Sequence, residues 1–158
     1  EDAPGAEPAR ELATRIKDEH RGSTYAQFAA LHLARLAVNA GDLAAAETEL
    51  RWVLAMADEG SEVHDVARLR LARVIAAGGD VDQALDMLAD PEPAYAASWA
   101  MARGDILLAE GRDREALAAF EVAAGSLGEG EPLPRMLTDK LEYLRARQDA
   151  SLAEAAVK

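Results

Sequence analysis

The residues of this chain that could do chemistry are few and scattered. His20, His32 and His64 are its three histidines, and no two have a spacing, such as His-Glu-x-x-His, that brings two imidazoles onto one helical face. Ser23, Ser61, Ser98, Ser126 and Ser151 lack the Gly-x-Ser-x-Gly setting that presents a nucleophile on a strained turn. Gly78-Gly79-Asp80 follows an Ala-rich helical run rather than a strand, and no Lys-Ser or Lys-Thr comes after it. It reads as a turn, not a phosphate loop. Asp58-Glu59 and the Glu129/Glu131 pair fall in loop-like stretches, where solvated charge is the ordinary state. No nucleophile, base and orienting group converge. The expectation is a chain with no catalytic residue, no metal and no cofactor.

Residues that could bind are more regular. Phe28, Leu31, Arg35 and Val38 recur at three- and four-residue steps, which is one face of a helix. Val66, Leu69 and Arg73 repeat the theme, and Ser98, Met101, Asp105 and Leu108 carry it a third time. Apolar anchors with sparse charges suit an extended or helical peptide. The same periodicity also describes a core face covered by a terminal helix, and periodicity alone does not separate the two.

The elements that would position such a face are repeated. LARLAVNAGDLAAAETEL (33–50), LARVIAAGGDVDQALDML (71–88) and RGDILLAEGRDREALAAF (103–120) align on Gly41, Gly79 and Gly111, at spacings of 38 and 32 residues. Small residues precede each glycine at Ala34, Ala72 and Gly104, and follow it at Ala46, Ala84 and Ala116. Large apolar residues stand further on at Leu50, Leu88 and Phe120. A glycine in the left-handed conformation ends one helix, and Asp42 or Asp80 can cap the next. Small residues at similar distances from the turn then face each other and let the two arms approach. A single hairpin leaves apolar faces open, so the expectation is a stack of hairpins.

Flanking helices are expected on either side of the repeats, with stripes at Leu12, Ile16 and His20 and at Leu133, Leu137, Leu141 and Leu144. Pro91 and Pro93 are expected to stop the second hairpin. The domain plan is a linker over 1–9, a repeat domain over 10–145 and a frayed tail over 146–158.

Composition agrees with an all-α fold. The chain has 158 residues, 50% hydrophobic and 4% aromatic, and Ala makes up roughly a quarter of it. Asn-Gly and Asp-Gly hairpin signals are missing. The net charge of −12 and the lack of any Lys/Arg stripe argue against nucleic acid as a partner. Cys is absent, which removes disulfides and thiol chemistry. No apolar run is long enough to span a bilayer.

The repeat period is close to that of tetratricopeptide repeats, at about 34 residues. The Pro common near the end of such repeats is missing, with Asp58, Ala96 and Gly128 in its place, and Arg112 stands where the other copies have Asp. Beyond the generic pattern, Tyr25-Ala26, Leu69 to Arg73 and Arg103 to Gly111 resemble the periplasmic part of the YfgM family over about residues 10–145. That resemblance implies an ancillary subunit of the SecYEG translocon in the inner membrane, associated with a PpiD-like periplasmic chaperone and possibly with exported clients. It also implies an N-terminal single-pass anchor upstream of a juxtamembrane linker, with the repeats on the periplasmic side. The family marks no catalytic residue. The alternative reading is a repeat scaffold for oligomerisation or complex assembly, with no translocon role.

Overall fold

Gly41, Gly79 and Gly111 have left-handed backbones, with φ of 77°, 100° and 72°. The computed structural model describes residues 6–90, 93–128 and 132–156. In it each of these glycines closes one helix and opens the return helix. Gly41 joins α2 (Thr24–Asn39) to α3 (Leu43–Met56), and Gly79 joins α4 (Glu62–Ala77) to α5 (Val81–Met87). Gly111 joins α6 (Ala96–Ala109) to α7 (Asp113–Gly125).

All three turns use the same pair of backbone hydrogen bonds. The N–H after the glycine donates to the carbonyl five residues back: Asp42 to Ala37 (2.9 Å), Asp80 to Ile75 (3.2 Å) and Arg112 to Leu107 (2.9 Å). The glycine N–H donates three residues back, to Val38, Ala76 and Leu108. This is the Schellman closure, which satisfies carbonyls that a helix end would otherwise leave unpaired. The left-handed residue it requires is why glycine sits there.

The return helices are capped as the sequence suggests in two copies of three. Asp42 accepts from the Ala45 N–H at 2.9 Å, and Asp80 from the Gln83 N–H at 3.2 Å. Arg112 cannot accept. Its guanidinium instead donates to both oxygens of Glu115, at 2.8 and 2.6 Å, and this hydrogen bond holds the exposed Glu115 carboxyl below the usual carboxylate range. Two further caps come from Ser23 and Ser61, whose side chains accept from the N–H groups of Ala26 (3.2 Å) and His64 (3.3 Å).

The chain divides into two compact units, Glu1–Met87 and Leu88–Lys158. The first holds α1 (Ala6–Glu19) through α5, each packed on the next. Ala34, Ala46, Ala72 and Ala84 are all buried, so both hairpins of this unit close on small residues. Leu50, 1% exposed, covers the first seam. A long polar side chain on each first arm ties down the end of its partner: Gln27 Nε2 donates to the Met56 carbonyl (3.1 Å) and Arg68 Nε to the Met87 carbonyl (2.7 Å). Lys17 of α1 pairs with Glu49 of α3 at 2.6 Å and stands 5.0 Å from the Trp52 ring centre.

The second unit holds a 3₁₀ turn (Pro93–Tyr95), α6, α7 and α8 (Arg135–Ala156). Its core is built on Trp99, Phe120, Leu137, Leu141 and Leu144. Here the seam has traded sizes: the second arm carries Phe120 rather than Leu, and the first arm carries Gly104 rather than Ala. A Cβ on Gly104 would lie 2.5–2.8 Å from atoms of the Phe120 ring. The ring is fully buried and has nowhere to move.

Three expectations are corrected. The buried face of α1 is Ala13 with Ile16, packed on Ala29 and Leu33, whereas Leu12 is 48% exposed and His20 is exposed. Stepping by three from Ala13 rather than by four from Leu12 keeps the small residue at the helix contact. Leu133 lies before α8 and is exposed, while the other three leucines of its stripe are buried. The helical boundaries are wider than expected, since α1 begins at Ala6 and α8 continues to Ala156. Pro91 lies outside the described residues, and α5 already ends at Met87.

The Gly104–Phe120 fit is testable by a double-mutant cycle. Gly104→Ala should destabilise by ~1–3 kcal/mol through overpacking, despite the ~1 kcal/mol that Ala gains over Gly in a helix. In a Phe120→Leu background the same change should become neutral or stabilising. Additive effects in denaturant unfolding would show that the two sites do not touch as described.

Candidate protein-binding groove

In the first unit, α2 and α4 are the first arms of successive hairpins and run in the same direction, with an open groove between them. The groove has two clefts. One, of about 420 Å³, lies toward the helix starts and is lined by Phe28, Leu31 and His32 of α2 and by Glu62, Val63 and Val66 of α4. The other, of about 340 Å³, lies toward the helix ends and is lined by Val38 of α2, Val74 and Ala77 of α4, and Leu43 and Leu50 of α3. Arg35 and Arg70 line both clefts and so stand at their junction, while Arg73 lines only the second.

The apolar lining is unusually open. Phe28 is 52% and Val38 44% exposed, while Leu31, at 8%, forms the floor. The cationic lining is open as well. Arg35 Nη2 lies 3.1 Å from His32 Nδ1, and because a guanidinium carries only donors the ring nitrogen accepts. Among the described residues, Arg35, Arg70 and Arg73 make no ion pair with a carboxylate. Guanidinium groups with free donors at the mouth of an apolar cleft can give an anion short, charge-assisted hydrogen bonds.

The second unit treats its charges differently. One of its clefts, of about 350 Å³, is lined by Arg112, Asp113, Arg114, Glu115 and Arg147 among others. Four of these pair with one another, Arg147 with Asp113 at 3.0 Å and Arg112 with Glu115 at 2.6 Å. A hydrogen bond to the Tyr143 hydroxyl, together with Asp113, raises the Arg147 guanidinium further above its ordinary value. Of the arginines that line it, Arg112 and Arg147 are thus paired, while the exposed Arg114 has no carboxylate partner among the described residues.

Of the face expected from sequence, Phe28, Leu31, Arg35, Val38, Val66 and Arg73 line this groove. Leu69, half-buried, lines neither cleft. Met101 and Asp105 stand on α6 in the second unit, where Asp105 accepts from Lys140 of α8. Sequence reasoning missed His32, Val63, Arg70 and Val74. The signal for the α4 residues was present: from Val66, a step of four reaches Arg70, and further steps of three and four reach Arg73 and Val74.

Among the described residues, no group of three or more His, Asp or Glu side chains is placed to hold a metal ion. No described helix is long and apolar enough to cross a membrane. Compared with known proteins, the chain matches one family model, described as a tetratricopeptide repeat-like domain, over residues 2–146. No curated protein and no solved structure matches it.

Proposed function

The chain belongs to the tetratricopeptide repeat-like domain family and is a protein–protein interaction module; on that premise we propose that the α2–α4 groove is where it takes its partner. The observation that carries this reading is the groove itself, which keeps Phe28 and Val38 in solvent beside three guanidinium groups that no described carboxylate engages. Exposed apolar side chains lose water when a partner covers them, at about 25 cal/mol per Å². Free donors beside them add direction.

The finer placement rests on the likeness of Tyr25-Ala26, Leu69 to Arg73 and Arg103 to Gly111 to the YfgM family. It supports an inner-membrane protein that presents this domain to the periplasm and links SecYEG to a PpiD-like chaperone. A reporter fused after Lys158 of the full-length protein should then work only where it needs an environment outside the cytoplasm. Robust activity of a strictly cytoplasmic reporter would contradict this placement and leave the groove reading intact.

The second reading, an assembly scaffold closed by its own C-terminal helix, is favoured by one contact. Lys140 of α8 binds Asp105 of α6 and lies 5.2 Å from the Phe120 ring centre, so α8 covers part of the face expected to be open in the third copy. The groove of the first unit decides between the two. Phe28→Asp with Val38→Asp should leave the melting temperature nearly unchanged, since both side chains are exposed and such surface changes are usually worth within ~0.5 kcal/mol. Capture of partners from a cell extract by the immobilised chain should be lost. Undiminished capture would move binding away from the groove.

A further inference from the structure

The charge and shape of the groove specify what it takes. We propose that its occupant is an extended stretch of a partner protein in which an acidic side chain lies between two apolar ones, a proposal that rests on the groove reading above. The acidic side chain meets Arg35 and Arg70, and the apolar ones fill the two clefts on either side.

Three observations lead there. The first is the order of chemistry along the groove: apolar Leu31 and Val66, then the two arginines shared by both clefts, then apolar Val38 and Val74. A ligand that satisfies all of it must alternate in the same order.

The second is charge. The chain carries −12 overall, yet the second cleft is lined by Arg35, Arg70 and Arg73 with no acid, and the first has only Glu62 against Arg35 and Arg70. An acidic segment is repelled by the rest of the molecule and attracted here, so the groove is where such a segment gains. A polyanion is a poorer fit: a nucleic-acid backbone or an anionic bilayer would bring many charges against an acidic protein and leave the apolar clefts unfilled.

The third is spacing. Leu31 to Val38 spans seven helical residues, roughly 10 Å at 1.5 Å per residue, and Val66 to Val74 spans roughly 12 Å. An extended chain, at ~3.3 Å per residue, covers that distance in three or four residues. The anchors therefore fall at the first and fifth positions, with the acid at the third. A helix, ~10–12 Å across with its side chains, would fill about 1,000 Å³ over the same length, more than the clefts of about 420 and 340 Å³ hold together.

The test uses the full chain and three pools of capped, amidated nine-residue peptides. Each pool has mixed Leu, Val and Phe at the two anchor positions, and Glu, Gln or Lys fixed midway between them. Retention on the immobilised chain is measured at low and high salt. The Glu pool should be retained about tenfold better than the Gln pool, as expected for one charged hydrogen-bond partner, with the advantage shrinking at high salt. Arg35→Glu with Arg70→Glu, which breaks no ion pair seen in the fold and gives up only the Arg35–His32 hydrogen bond, should reverse the preference to the Lys pool while the helical circular dichroism is kept. Equal retention of Glu and Gln pools, or an unchanged preference in the double variant, would overturn the proposal while leaving a groove that binds by apolar contact. Retention that survives Phe28→Asp with Val38→Asp would instead show that the groove is not the site. Binding of phosphatidylglycerol vesicles, lost in the arginine variant and unaccompanied by retention of the Glu pool, would assign the arginines to a membrane surface and overturn the proposal as well.

Discussion

Everything distinctive about this molecule depends on how closely two helical arms approach beside each turn glycine. Side chains no larger than alanine at the contact allow it, and Ala34, Ala46, Ala72, Ala84 and Ala116 are all 2% exposed or less. In the first unit no described aromatic side chain is buried, so its core rests on short gaps and dispersion contacts between backbones and methyl groups rather than on large rings. The third hairpin shows the rule by its exception. Phe120 is admitted only because Gly104 gives up its Cβ, so the summed size across the seam is kept while its distribution changes.

That constraint also shapes the binding face. Because α2 and α4 spend their small residues on their partners α3 and α5, their larger residues are left on other faces. In α2 these include Phe28, Arg35 and Val38, and in α4 Val66, Arg70 and Arg73, which the parallel course of the two helices brings to one groove. Arginines elsewhere illustrate the contrast. Arg51, Arg112, Arg145 and Arg147 each have a carboxylate within ion-pair distance, as is common on an acidic protein, and such exposed pairs contribute little. Arg35, Arg70 and Arg73, which no described carboxylate pairs, instead share one groove with the exposed Phe28 and Val38, and that combination favours a face kept available for a ligand.

The hairpins were legible in the sequence because their determinants are local. A left-handed residue, a capping side chain and small residues at fixed distances from the turn all lie within about a dozen positions, and each acts through backbone geometry. The α2 side of the groove was legible for the same reason. The α4 side was only half so: aligning the second hairpin on Gly79 carried over the step pattern of the first and placed Leu69 in the groove, where helical phase instead puts Arg70. With 3.6 residues per turn, steps of three and four are both allowed, and only packing on neighbouring helices chooses between them. The stripe on α1 failed in the same way, where Ala13 rather than Leu12 makes the contact. Size misled there, since a seam built on close approach selects the smaller residue. Ser23 and Ser61 were weighed as nucleophiles and prove to be helix caps, a role their hydroxyls fill through the adjacent turn alone.

The central claim is that a partner lies along the α2–α4 groove. The most direct measurement is site-specific photo-crosslinking in the cells that make the protein, with a benzophenone side chain placed in turn at positions 28, 38 and 48. Phe28 and Val38 edge the groove, while Thr48 is an exposed residue of α3 outside both clefts. The account predicts crosslinks to the same partner from positions 28 and 38 and none from position 48. Crosslinks from position 48 alone, or equally from all three, would contradict it.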